Sequence, residues 1–157
     1  VEIGKKEAPL TEILQCMIRE FGKKYETAVQ EARQDLLQLS VAIAEKIVKQ
    51  KIAVDDSEPL RENLMEAVSK TVQRNQITVR VSPQSRALVE ELTQELHRTF
   101  DDIDGISIRE DDAIGRGGCK VVTRLGSVDN SIDKQIEIIA REIAGITEDD
   151  NTAEGED

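Results

Sequence analysis

Aromatic side chains are almost missing from this sequence: Phe21, Tyr25 and Phe100 are the whole set, with no tryptophan among 157 residues. A core without large rings must rest on Leu, Ile and Val. With so few rings there is little for nucleic-acid bases to stack on. Positive charge is also short, 21 Lys and Arg against 32 Asp and Glu, for a net −11. Such a chain is repelled by a phosphate backbone and by anionic lipid surfaces, so no nucleic-acid partner is expected. No run of 18 apolar residues exists, so no direct membrane insertion is expected. The opening Val1-Glu2-Ile3-Gly4-Lys5-Lys6 has no apolar stretch behind it and does not read as a secretory leader. A first residue other than methionine is what a processed chain or a fragment would show.

Reactive side chains are equally scarce. There is one histidine, His97, and two distant cysteines, Cys16 and Cys119. No C-x-x-C or H-x-x-x-H spacing occurs, which argues against a structural zinc site. The composition suggests a reducing, cytosolic setting in which both thiols stay free. Ser127 and Ser131 have no recognisable base, and His97 lies one place beyond an apolar stripe, as a surface residue would. Gly115-Arg116-Gly117-Gly118 leads from a loop into a strand, without the Lys-Ser or Lys-Thr of a phosphate loop. The carboxylates Asp101, Asp102, Asp104, Glu110, Asp111 and Asp112 form an acidic cluster that a hard cation could use. They lack calcium-loop spacing, and an acidic module binding metal is the minor reading. No catalytic residue, cofactor or metal site is expected.

What the chain does have is helical periodicity. From Pro9 to Ala53, small or apolar residues fall at Leu14, Ile18, Phe21, Tyr25, Ala28, Ala32, Leu36, Leu39, Ile43 and Ile47, in steps of three and four. Pro9 suits a first turn. A helix of that length would reach about 65 Å, more than so small a domain can cover. Its front half is therefore expected to project and to pair with a second copy as a coiled coil, through Leu14, Ile18, Phe21, Tyr25, Ala28 and Ala32. The later paired steps of four lengthen the period and would locally unwind a left-handed supercoil. The alternative is a long solvated helix whose rear half alone faces a core.

Behind it the pattern predicts a small α+β domain in the order α-α-β-α-β-β-α, with a short three-stranded sheet. Asp55-Asp56-Ser57 breaks the first helix. Ser57 is expected to cap a second helix running to about Arg74, with Leu60, Leu64, Val68 and Val72 on one face. Ile77, Val79 and Val81 alternate as a strand. Ser82-Pro83 opens a third helix with Leu88, Leu92, Leu96 and Phe100 inward. Ile106 and Ile108 mark the second strand, and Cys119, Val121, Thr123 and Leu125 the third. Gly126 to Asn130 reads as a turn in which Asp129 or Asn130 caps a last helix, from about Asn130 to Ile146, with Ile132, Ile136, Ile139 and Ile143 in line. The resulting division is an extended helical arm over 1–38, a domain over 39–147, and an acidic tail over 148–157. The tail holds six acids and no base, and is expected to be disordered.

Three segments resemble one family. Leu39-Ser40-Val41-Ala42-Ile43-Ala44-Glu45-Lys46-Ile47-Val48 is similar to the helix opening the C-terminal domain of the flagellar assembly protein FliH. Ile77-Thr78-Val79-Arg80-Val81-Ser82-Pro83 is similar to that family's strand and helix start. The most specific is Gly118-Cys119-Lys120-Val121-Val122-Thr123-Arg124-Leu125-Gly126-Ser127-Val128-Asp129 with Ile132-Asp133-Lys134-Gln135-Ile136 behind it. The resemblance implies a non-enzymatic stator of peripheral-stalk type. Such a protein is a homodimer, regulates the hexameric flagellar type III export ATPase, and works in the cytoplasm, peripherally attached to the export apparatus at the inner membrane. Export-gate or C-ring components are further implied partners. Carried over residue by residue, the ATPase-docking motif falls on Val128, Asp129, Ile132 and Gln135. Stators of virulence type III secretion systems and, more distantly, the E subunit of V/A-type rotary ATPases share the pattern and remain alternatives. The family's GxxxG helical segment has no counterpart here, and Thr123-Arg124 stands where an acidic residue often ends the strand.

Overall fold

A computed structural model describes residues 2–145, with side chains from residue 9 onward; the acidic run 148–157 and the expected helix end at Ile146 lie outside the described residues. The fold is mixed α+β. A long helix α1 (Glu2–Val54) is followed by α2 (Ser57–Lys70), β1 (Gln76–Val81), a 3-10 turn at Pro83–Ser85, α3 (Arg86–Thr99), β2 (Gly105–Glu110), β3 (Cys119–Val122), β4 (Ser127–Asn130) and α4 (Ile132–Ala144). The chain divides into two units after Ala42.

The first unit is helical, and the large apolar side chains of its stripe are exposed, Phe21 by 74%. Pro9 does not begin the helix, which starts at Glu2. The residues before the proline, Glu2 to Ala8, include strong helix formers and tolerate the one hydrogen bond that Pro9 cannot donate.

The second unit is built on a four-stranded sheet in the order β2-β1-β3-β4, one strand more than the sequence pattern suggests. β1 and β2 are parallel, joined through α3; β3 pairs antiparallel with β1 and with β4. The extra strand comes from the stretch expected to be a turn. The chain reverses over Thr123 to Gly126, where the Thr123 N–H donates to the Gly126 carbonyl at 2.8 Å. Val121 then lies opposite Val128, and Cys119 opposite Asn130. Thr123 and Leu125 therefore sit in the hairpin turn, not on a strand, and Leu125 is exposed.

Period-two alternation puts Ile77, Val79, Val81, Cys119 and Val121 on the covered face. Against them pack Leu60, Leu64, Ala67 and Val68 of α2 and Val89 and Leu96 of α3, all at most 2% exposed. Leu88, Leu92 and Phe100 complete the α3 contact at the margin, and Val89 supplies the deeply buried residue beside Leu88. Arg74 stacks its guanidinium over the Phe100 ring, 4.9 Å from the centroid.

The helix ends differ in detail from expectation. Ser57 is the first residue of α2, and the Asp55 carboxylate, not a Ser57 cap, receives the Ser57 N–H and hydroxyl, at 2.9 and 2.6 Å. α2 stops at Lys70, because Thr71 is extended and Gln73 takes a left-handed φ of 56°, so Val72 turns outward. α4 is capped by Ser131, whose hydroxyl accepts the Lys134 N–H, while Asp129 accepts from the Ser131 N–H. Asn130 is buried.

Candidate functional site

Two glycines explain why the chain can close up where α1, α2 and α4 approach within the second unit. Gly117 has a φ of +81°, and a Cβ there would lie 2.8 Å from Ile52. A Cβ on Gly118 would lie 2.8 Å from the Ser131 Cα and 2.9 Å from the Ile132 nitrogen. These glycines serve close packing of backbone on its neighbours, which accounts for the motif without a phosphate.

A polar lock fills the same place. Asn63 of α2 donates from Nδ2 to the Gly117 carbonyl at 2.7 Å. Asn130 donates to the Asn63 carbonyl at 3.0 Å, and Gln135 donates to the Asn63 Oδ1 at 2.9 Å and to the Asn130 carbonyl at 3.2 Å. Asn63 and Asn130 are buried, so each unpaired amide would cost about 1–3 kcal/mol. Lys49 of α1 pairs with Asp133 in the first turn of α4 at 2.7 Å.

Beside the lock is a second cluster. Arg116 forks onto Asp56, Nη2 to Oδ1 at 3.0 Å and Nε to Oδ2 at 3.3 Å, and its Nη1 donates to the Ala53 carbonyl. Ser85 donates to Asp56 Oδ2 at 2.8 Å. Burial by itself would raise the Asp56 carboxyl; the bonds from Arg116 and Ser85, with the guanidinium charge, outweigh it and hold the group below its ordinary 3.8. A lowered native value means the stabilisation is whole above pH 3.8 and is lost as pH falls below that value and through the lowered one. Asp56→Asn should therefore be less stable at neutral pH and should show a shallower loss of stability below pH 4 than the parent. Denaturant midpoints measured between pH 2 and pH 7 check this.

The ends of α1, α2 and α4 enclose a largely apolar groove of about 680 Å³. Ile52, Val54, Pro59 and Ile132 give it apolar walls, and Asn63, Gln135, Lys51 and the acids Asp55, Glu58 and Glu62 also line it. The four motif residues do not share one role. Ile132 and Gln135 border this groove, Gln135 being held by the lock. Val128 packs on the core and borders a smaller groove of about 290 Å³ with Val72 and Leu125. Asp129 is spent on the Ser131 N–H.

Three carboxylates of the acidic cluster have structural partners. Asp102 pairs with Arg74 at 3.0 Å, Asp111 with Arg80 at 2.7 Å and Glu110 with Arg86 at 3.4 Å. Among the described residues no group of three or more His, Cys, Asp or Glu is placed to hold a metal ion. His97 is exposed in the last turn of α3. The buried Cys119 thiol is pushed up to about 12, first by burial and then by the Asp129 and Glu66 carboxylates. It stays protonated and unreactive at neutral pH. Of the arm residues, Leu14, Ile18, Phe21 and Tyr25 expose large apolar side chains, and Ala28 and Ala32 are exposed beside them.

Sequence periodicity misses the lock and the Asp56 cluster. Asn63 and Asn130 lie 67 positions apart and Asp56 and Arg116 lie 60 apart, separations over which spacing carries no signal. Two consecutive glycines before a strand are the one local hint of a close approach.

In chain order, a long helix with an exposed apolar stripe precedes a small mixed sheet covered on one face by helices. The model of the flagellar assembly protein FliH family matches residues 9–139, and the chain belongs to that family. It is 31% identical over 104 residues to the flagellar assembly protein FliH of Borreliella burgdorferi, covering 66% of this chain and 34% of that protein. It is 33% identical over 79 residues to the type 3 secretion system stator protein of Yersinia pestis, covering 50% of this chain and 36% of that one. The probable flagellar assembly protein FliH of Bacillus subtilis is 25% identical over 114 residues, 73% of this chain and 54% of its own length. The chain thus spans about a third to a half of the length of these relatives.

Proposed function

We propose that this protein is a non-enzymatic stator and regulator of the flagellar type III export ATPase, acting as a homodimer in flagellar protein export. Membership of the FliH family carries the reading, and relatives named as type 3 secretion stators agree with it. Residues 1–38 would be the pairing arm, joining two copies through Leu14, Ile18, Phe21, Tyr25, Ala28 and Ala32. Residues 39–147 would be the ATPase-docking domain, with Val128, Asp129, Ile132 and Gln135 as its motif. Gln135 and Asp129 would act by setting the first turns of α4, and Ile132 by presenting an apolar side chain in the groove. Three acids against one lysine in the groove lining suit a basic partner segment.

The protein would act at the cytoplasmic face, attached to the export apparatus rather than inserted beside it. Among the described residues no helix is long and apolar enough to cross a membrane.

The test is to mix the full chain with the cognate export ATPase and measure complex formation and ATP turnover. A stable complex with altered turnover is expected. Ile132→Asp should weaken that complex at least tenfold with little change in melting temperature. Absence of any complex would overturn the proposal.

A further inference from the structure

α2 and α3 cover one face of the sheet. Period-two alternation turns the intervening strand residues to the opposite face, and cations line up there. Arg80 of β1 lies opposite Arg109 of β2 on one side and opposite Lys120 of β3 on the other. The three form one row across three strands, with Arg109 exposed and Arg80 and Lys120 half-buried. Beside the row, Thr78 and Val122 line a groove of about 430 Å³ together with Arg80, Arg109 and Glu110. Like charges directly opposite each other weaken a sheet, so folding alone gives no reason for this row. The neighbouring acids answer only part of it. Asp111 pairs with Arg80 at 2.7 Å. Glu110 is drawn to Arg86 at 3.4 Å, and Asp129, opposite Lys120, accepts the Ser131 N–H. The Arg109 and Lys120 side chains have no hydrogen-bond or ion-pair partner among the described residues.

We propose that this row is the seat of the chain's own acidic run, residues 148–157, folded back onto the sheet of the same copy. Charge selects the occupant: the run has six acids and no base, and the row offers two cations without partners beside a third. The next row adds hydroxyls, with Thr78 opposite Ser107, which can donate to further carboxylates. Length permits the return. α4, which separates the end of β4 from the run, has 13 residues, or about 20 Å. Residues 146–157 reach about 40 Å when extended, enough to come back past α4 to the row. While the run is seated, this face is closed to any other acidic segment. The contact lies within one copy and needs no pairing of the arm.

The experiment uses the full chain. A carbodiimide joins an amine to a carboxylate only where the two touch. It is expected to join the Lys120 Nζ to carboxylates of 148–157, as read by mass spectrometry of the digested product. Mixing unlabelled with heavy-isotope-labelled chains should show both ends of that product to come from one copy. Arg109→Glu should lower the yield at least fivefold with the melting temperature unchanged. So should salt at about 1 M, where charges are screened within about 3 Å. Lys120 joined only to Asp129, only to another copy, or to nothing overturns the proposal, as does a yield that Arg109→Glu leaves unchanged. Sedimentation of the same samples reports the dimer separately, so failure here leaves the homodimer reading standing.

Discussion

If the arm pairs as proposed, Phe21→Asp is expected to dissociate it, raising the dimer constant by at least about a hundredfold. Among the large apolar side chains of the stripe, Phe21 is the most exposed in the single chain, at 74%. In a seam it would be covered, and each ring would then contribute about 1.5–3 kcal/mol. The substitution removes that contribution from both copies. It also places two carboxylates close together where water is excluded, at a further cost. The single chain leaves most of this ring uncovered, so the fold of the second unit should not change. Sedimentation velocity over a wide concentration range measures the shift, and thermal melting of the variant checks the domain. An unchanged dimer constant would place the seam elsewhere.

Gly118→Ala should damage the domain although it adds a single methyl group. The new Cβ would meet the backbone of Ser131 and Ile132 at 2.8 and 2.9 Å, atoms that cannot swing aside as a side chain can. Overpacking of this kind costs about 1–3 kcal/mol, which for a unit of about 100 residues lowers the melting temperature by roughly 5–15 °C. The strain falls on the cap of α4, so hydrogen exchange there should quicken. Gly115→Ala is the control. Nothing lies within 4 Å of its Cβ and its φ is ordinary, so a change within about 0.5 kcal/mol is expected. Equal effects at the two positions would refute the close-approach account.

The contrast between these two glycines also shows what a sequence can and cannot carry. The long stripe of α1 was legible because apolar residues recurring every three or four positions from Leu14 to Ile47 all fall on one side of a helix and on no single face of a strand. β1 was legible because Ile77, Val79 and Val81 are β-branched and alternate. β4 was not, since only Val128 among its four residues is apolar, and Asp129 and Asn130 are turn formers in most settings. The lock behind it was hidden for a different reason. Asn63 sits on a helix face among apolar neighbours and looks like an ordinary interruption. Its meaning comes from Gly117, Asn130 and Gln135, which folding brings to it from far along the chain. Of the motif taken from resemblance, Ile132 and Gln135 border one groove, whereas Val128 borders another.

The different surroundings of the two thiols have a practical result. Cys16 is exposed on the arm and Cys119 is sealed beneath α2. A maleimide dye added to the native protein should attach at a single site without mutagenesis. With the pairing proposed above, mixing donor-labelled and acceptor-labelled batches would then report subunit exchange by energy transfer, in real time and at nanomolar concentration.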